Sequence, residues 1–413
     1  MPQESLARAP VRRRDISRTA DHRQTSNDSA VLQAVLDHGP VARSTIARLV
    51  GLSPAAVTRL STELVTAGLL RESPAAGGPK GVGAPKAVGR PHVPVEIDTS
   101  RKVACGVHIA LRHSTLALLD LRGHVIAQER MPHLDADPRR VILRTASRIP
   151  EFLAQHAAGR APVGVGVAAG GWVDRADGVI VEHAPLGWRG VQVRQLLADA
   201  TGLPVRVDNH ARALARAEQL FGDARARTSV VHLFVGNMID AAFATGGRIH
   251  HGPQSAAGSV AHLPVAGRTE RCACGRSGCL QAVAASYELG VRAARAGITP
   301  DPAFGALIAA AQRDDRRAVA LFHERARLVG AAAALLLDVL NPELLVVTEQ
   351  GVMHLPGCME TLRAEVSERS RRRSGLGADP GRSIIATSFG SLALEVAAGT
   401  VILDAVYANP LRR

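Results

Sequence analysis

The chain has 413 residues, 46% of them hydrophobic, which is too long for one core and ample for two or three packed domains. Fifty Lys and Arg against 37 Asp and Glu leave a formal charge of +13, which favours an anionic partner, nucleic acid first. The first 27 residues show no leader pattern, and the longest apolar run, Val329 to Leu337, is too short to span a bilayer, so a cytoplasmic protein with no membrane partner is expected.

Residues 1–27 carry Arg8, Arg12, Arg13, Arg14, Arg18 and Arg23 without periodicity and are expected to be a disordered basic tail. Residues 28–98 read as a winged helix-turn-helix. A first helix from Ser29 places Val31, Leu32, Val35 and Leu36 on one face and stops at Gly39-Pro40. A short helix, Ser44 to Val50, turns Ile46, Ala47, Leu49 and Val50 inward. Gly51-Leu52 makes the turn. Ser53 then caps a third helix with Pro54 in its first position and Val57, Leu60, Leu64 and Val65 as its apolar stripe. Its open face carries Ser53, Ala55, Ala56, Thr58, Arg59 and Thr62, small enough to enter a major groove and polar enough to read it. A three-helix module that binds a polypeptide is the alternative. Leu69 to Glu72 and the alternating Val93, Val95 and Ile97 read as strands around a Gly/Pro/Lys loop, either a wing or a flexible linker.

From Lys102 the pattern becomes α/β. Strands are expected at Val103–Ala110, Ser114–Asp120, Val125–Ala127 and Pro162–Gly170, with a helix from Arg139 to His156. A second such run starts at Ser229. Helices follow at Phe304–Arg313 and Arg316–Leu340, then a strand at Leu344–Thr348, and a closing helix from Ser391 to Tyr407 that packs back on the first run. Asp120 and Asp174 read as turn residues, His250-His251 as a solvated loop, and Cys105 and Cys358 as apolar packing.

The densest chemistry lies between His262 and Gln281. Cys272, Cys274 and Cys279 fall close together, with His262 ahead of them. One imidazole and three thiolates make a complete tetrahedral set of the kind structural Zn²⁺ takes, with no open position for catalysis. Gly275 and Gly278 stand where the backbone must curl. A disulfide or free thiols are the alternatives.

The spacing H-x9-C-x-C-G-x-x-G-C resembles the zinc signature of the ROK family (repressors, open reading frames and sugar kinases), and the resemblance extends from about Ser29 to the end of the chain. It implies a winged helix-turn-helix followed by a two-lobed actin-like, sugar-kinase fold. Lobe 1 would take residues 102–225, lobe 2 with the zinc motif 226–390, and the terminal helix, 391–413, would return to lobe 1. It also implies that Arg90, in Gly89-Arg90-Pro91, belongs to the wing and enters a minor groove.

The family's kinase positions match this chain poorly. The first phosphate turn corresponds to His108-Ile109-Ala110-Leu111-Arg112, without an Asp or its glycines. The second is Gly236-Asn237-Met238-Ile239-Asp240, whose carboxylate would repel a phosphate. The late Gly-Gly turn is Thr348-Glu349-Gln350-Gly351. The catalytic Asp position is His210, within Asp208-Asn209-His210. No ATP is expected to bind. Asn209, His210, Ser259, His262 and Gln281 occupy the positions of the family's sugar contacts and form a tentative effector set. The cleft binds a sugar-like molecule, a different one, or nothing.

The expectation is a transcriptional regulator, with repression the favoured sign. It would bind operator DNA as a homodimer or homotetramer, with zinc as a structural ion and a catalytically inactive body. A divergent sugar kinase and a DNA-independent interaction module are the alternatives.

Overall fold

The computed structural model describes residues 26–73, 93–370 and 380–411. The basic tail up to Thr25, most of the wing loop and Arg90 lie outside the described residues.

Three helices open the described chain: α1 (Asn27–His38), α2 (Arg43–Val50) and α3 (Pro54–Thr66). Ser53 caps α3, its Oγ accepting from the Ala56 amide at 3.2 Å. Val57, Leu60 and Leu64 pack in one core with Val31, Leu32, Val35 and Ile46. Leu49, expected inward, is 51% exposed. Ile46 and Ala47 centre the buried face of α2, and at 100° per residue Leu49 falls about 110° away from it. Strands β1 (Leu70–Glu72) and β2 (Val95–Ile97) pair antiparallel, and Val41 bridges Val95 on the other side.

The first lobe begins with an antiparallel meander of β3 (Lys102–Ile109), β4 (His113–Leu119) and β5 (Val125–Pro132). Helix α4 (Pro138–His156) leads to β6 (Ala161–Ala169), parallel to β3. A small sheet of β7 (Trp172–Asp174), β8 (Val179–His183) and β9 (Trp188–Val191) follows, then α5 (Val193–Thr201), β10 (Val205–Asn209) and α6 (His210–Phe221). The main sheet runs β10-β6-β3-β4-β5. Central β3 is buried along nearly its whole length, whereas edge strand β5 alternates between half-buried and exposed, as one-sided strands do.

The second lobe repeats this topology. Strands β11 (Ser229–Val235), β12 (Ile239–Thr245) and β13 (Arg248–Ile249) form its meander. After the cysteine loop come α7 (Leu280–Ala284), α8 (Ser286–Arg295), α9 (Phe304–Gln312) and α10 (Arg316–Leu340). Strand β14 (Leu344–Glu349), α11 (Gln350–His354), α12 (Cys358–Arg369) and β15 (Ile384–Ala386) complete it. The order β13-β12-β11-β14-β15 matches the first sheet strand for strand.

The C-terminal helix (Ala393–Ala408) returns to lobe 1 and lies across β3 and β6. A Cβ on Gly106 would stand 2.6 Å from the Gly399 amide nitrogen, so the two glycines set this close crossing. Among the described residues, Gly390–Ala408 is the one segment long and apolar enough to cross a membrane, and it is 67% buried in the fold. Glu395 and Asp404 interrupt its apolar run in the sequence. The helix also anchors the N-terminal module. Ser29 Oγ donates to the Tyr407 carbonyl at 2.6 Å, and Tyr407 OH donates to the Leu121 carbonyl at 2.6 Å. One buried cluster runs from Val31 and Val57 through Leu119 to Leu403 and Tyr407, so the helix-turn-helix is packed onto lobe 1.

Candidate functional site

The exposed face of α3 carries Ser53, Ala55, Thr58, Arg59 and Thr62, with Ala56 half-buried beside them. Thr58 and Thr62 hydroxyls donate back to the Pro54 and Thr58 carbonyls at 2.8 and 2.9 Å. Arg59 reaches Glu63 at 2.7 Å, and its side chain is 67% exposed. The pair is a surface one, worth well under 1 kcal/mol by the usual measure, so the guanidinium is readily released to another anion. Arg43 ties α2 to the base of the wing strands, reaching Glu72 at 2.8 Å and the Val93 carbonyl at 3.2 Å.

The four predicted metal ligands converge. One ligand atom from each of His262, Cys272, Cys274 and Cys279 lies within 4.8 Å of all the others. Cys272 Sγ stands 3.6 Å from His262 Nδ1, and Cys274 Sγ 3.7 Å from Cys279 Sγ. A tetrahedron with metal–sulfur bonds of about 2.3 Å has edges of roughly 3.8 Å, so the donor set and its spacing fit a four-coordinate ion. The five cysteines are all free thiols, and the disulfide alternative is not formed. Gly275 and Gly278 have φ of +88° and +69°, and a Cβ on Gly278 would meet the Arg268 carbonyl oxygen at 2.5 Å. Arg268 also contacts Glu324 on α10, which Arg292 reaches at 2.7 Å, tying the loop to the lobe.

The cleft between the lobes is the third candidate. Asp240, on β12 of lobe 2, reaches across to lobe 1. Its Oδ2 lies 2.9 Å from His210 Nε2, and it accepts from the Gly171 amide at 3.2 Å and from Asn209 Nδ2 at 3.3 Å. A carboxylate only accepts, so Nε2 carries the proton. Burial alone would raise the Asp240 pKa, but the hydrogen bond and charge of His210 hold it below the ordinary carboxylate range. His210 packs against Phe234 at 4.1 Å and faces His108 at 6.3 Å. Burial pushes His108 well below the usual imidazole range, His183 to about 4 and His232 to about 3.

The five residues of the tentative effector set are placed differently from one another. Asn209 and His210 are buried. Asn209 caps α6, its Oδ1 accepting from the Ala211 amide at 2.8 Å, while its Nδ2 donates to the Gly171 carbonyl at 2.8 Å. Gln281 holds the turn between β11 and β12, accepting from the Ile239 amide at 3.1 Å and donating to the Asn237 carbonyl at 2.6 Å. Ser259 is exposed, and His262 sits with the cysteines.

Three features were not read from the sequence. Asp240 was read as a phosphate repellent, not as the partner of His210. Arg325 and Glu349 form a pair at 2.9 Å with 0% and 1% side-chain exposure, behind the third phosphate-turn position. Its signal was present, because Arg325 stands on the buried stripe of α10 with Phe322, Ala326 and Val329. His251, read as solvated, lies 3.1 Å from Arg175 Nη1 in a charged group with Asp208, Arg212 and Asp404. Asp120 and Asp174 bind turn amides, as expected of turn residues.

Fold and site together define a helix-turn-helix regulator built on a duplicated, kinase-like body. The ROK family model matches residues 104–382, and the chain belongs to the ROK family, among its transcriptional regulators. It is 33% identical to a transcriptional regulator of Mycobacterium tuberculosis, over 99% of this chain and 93% of that protein. It is 25% identical to the xylose repressor of Caldicellulosiruptor bescii, over 83% of this chain and 88% of that one. A crystal structure of a ROK family transcriptional regulator, a homologue of the Escherichia coli Mlc protein, superposes with a TM-score of 0.75. It is 24% identical and matches over 94% of this chain and 98% of its own, a likeness of fold.

Proposed function

We propose that this chain represses transcription by binding operator DNA through α3, with its kinase-like body acting as an inactive, zinc-stapled scaffold. The observation that carries the reading is the exposed face of α3, capped by Ser53 and bearing Thr58, Arg59 and Thr62. The winged module would take residues 28–98, lobe 1 102–225 and lobe 2 226–390, and Arg90 would extend contact into a minor groove. Two copies of this cytoplasmic protein would place two such helices on a pseudo-palindrome.

His262, Cys272, Cys274 and Cys279 would hold Zn²⁺, which supplies a cross-link within the loop and no catalysis. Catalytic inactivity is supported by Asp240, which pairs with the residue in the base position, and by the Arg325–Glu349 pair behind the late turn. A sugar-like effector would act by parting or closing the lobes around Asn209, His210, Ser259, His262 and Gln281. The test is selection of random duplex DNA by the purified protein, alongside an assay of sugar-dependent ADP release. An enriched palindromic site without ADP release is the expected result. ADP release that disappears in His210→Ala would establish the kinase instead, and no enriched site at low salt would remove the DNA-binding reading.

A further inference from the structure

The chain crosses between the lobes at residues 222–228 and again near 387–390. Buried Glu218, near the end of α6, joins the two crossings: it accepts from Thr387 Oγ1 at 2.8 Å, from the Ser388 amide at 2.9 Å and from Ser388 Oγ at 2.6 Å. The first crossing ends in a short turn, Ala224–Arg227, and β11 starts two residues later. From Arg227 the hairpin of β11 and β12 leads straight to Asp240.

Arg227 points the other way, to the N-terminal module. Its Nη1 and Nη2 each lie 2.9 Å from a separate oxygen of Asp37, in the last turn of α1. Such a two-pronged pair fixes direction as well as distance. Its side chains are 40% and 13% exposed, so the arginine end is open to solvent and the pair can part without opening a core. A directional contact at the surface suits an element that is made in one state and lost in another. Helix α1 shares its core with α3 through Val31, Leu32 and Val35, so a pull at Asp37 is felt at the DNA-facing helix.

The other end of the hairpin carries the opposite kind of contact. Asp240 and His210 are buried and held by several hydrogen bonds, so the lobes cannot part without breaking them. We infer that Arg227 is a positioning residue that conveys the state of the Asp240–His210 latch to α3 through Asp37. The inference rests on α3 being the DNA-binding helix.

The experiment measures affinity for the DNA site that the wild-type protein itself selects from a random library. Asp240→Asn and His210→Asn open the latch by two routes, and a melting curve for each confirms a folded protein. In the wild-type background, opening the latch changes DNA affinity by at least about fivefold, the lower end of ordinary allosteric coupling. In Arg227→Gln and in Asp37→Asn the same change stays within about twofold, the scatter of independent sites. Arg227→Lys, which keeps the charge but not the fork, falls between. A merely structural Arg227 would lower stability and leave the latch effect intact. An equal latch effect in all backgrounds, or none in the wild type, overturns the inference while DNA binding stands. A wild-type protein that selects no site removes the DNA-binding reading and the inference with it.

Discussion

Arg59 shows how far one residue can be argued. Its position on the third helix follows from the Ser53 cap and the Val57–Leu60–Leu64 stripe, and the structure places it 67% exposed and paired with Glu63. Arg59→Ala should weaken binding to the selected operator by about 1–3 kcal/mol at fixed salt, the range for a lost base contact; unchanged affinity in a fluorescence anisotropy titration would take Arg59 out of the interface. The buried histidines make a prediction about pH. His232, fully enclosed and 2.9 Å from Thr348 Oγ1, is depressed to about 3 by burial, with the charge of His210 adding to the effect. An unfolded imidazole takes up its proton near pH 6.5. Between these values the unfolded chain binds more protons than the folded one, so stability is full above about pH 6.5 and is lost as pH falls. Urea midpoints should therefore drop from pH 7 to pH 5. The drop should be shallower in His232→Gln at matched zinc content, and equal slopes would assign the acid sensitivity elsewhere.

At the scale of elements, the cysteine loop has little packing of its own, and the proposed zinc would be its main support. Between Gly267 and Ala282 there is little apolar burial beyond Cys272, Cys279, Leu280 and Ala282, and the backbone takes left-handed φ at Gly267, Gly275 and Gly278. Chelation of the metal should expose amides of residues 267–282 to hydrogen exchange within seconds while β11 and β14 stay protected. Zinc analysis giving less than about one ion per chain in protein never exposed to chelator would count against the closed four-ligand site. The sequence made this cluster legible because His262 and the three cysteines lie in one short segment. It made α3 legible because cap, first-position proline and stripe agree. The small β7–β8–β9 sheet was missed, since each strand is short and is flanked by turns rather than set in a long apolar run.

For the whole molecule, the formal charge of +13 and the exposed face of α3 predict a steep response to salt. With six or more phosphate contacts from a dimer, operator affinity should fall about 10³-fold or more between 50 and 200 mM salt. A flat salt dependence would favour the polypeptide-binding alternative for the three-helix module. The two lobes repeat one strand order, and the N-terminal module shares a core with the first of them. The helix-turn-helix is thus packed on the body rather than tethered to it, the arrangement that the proposed coupling of lobe geometry to α3 requires.

The sequence by itself determined the local matters: the His/Cys cluster, the capped third helix, the α/β alternation and the loss of glycines from the phosphate turns. Each is written in residues near one another, where spacing and propensity act directly. Tertiary structure alone decided what became of the altered positions. Asp240 and His210 are 30 residues apart, as are no local signals that would pair them, and Asp37 and Arg227 are separated by 190. Only tertiary packing brings these groups together, lobe on lobe for the first pair and N-terminal module on the crossing between the lobes for the second, because a buried polar group takes whichever partner the fold delivers.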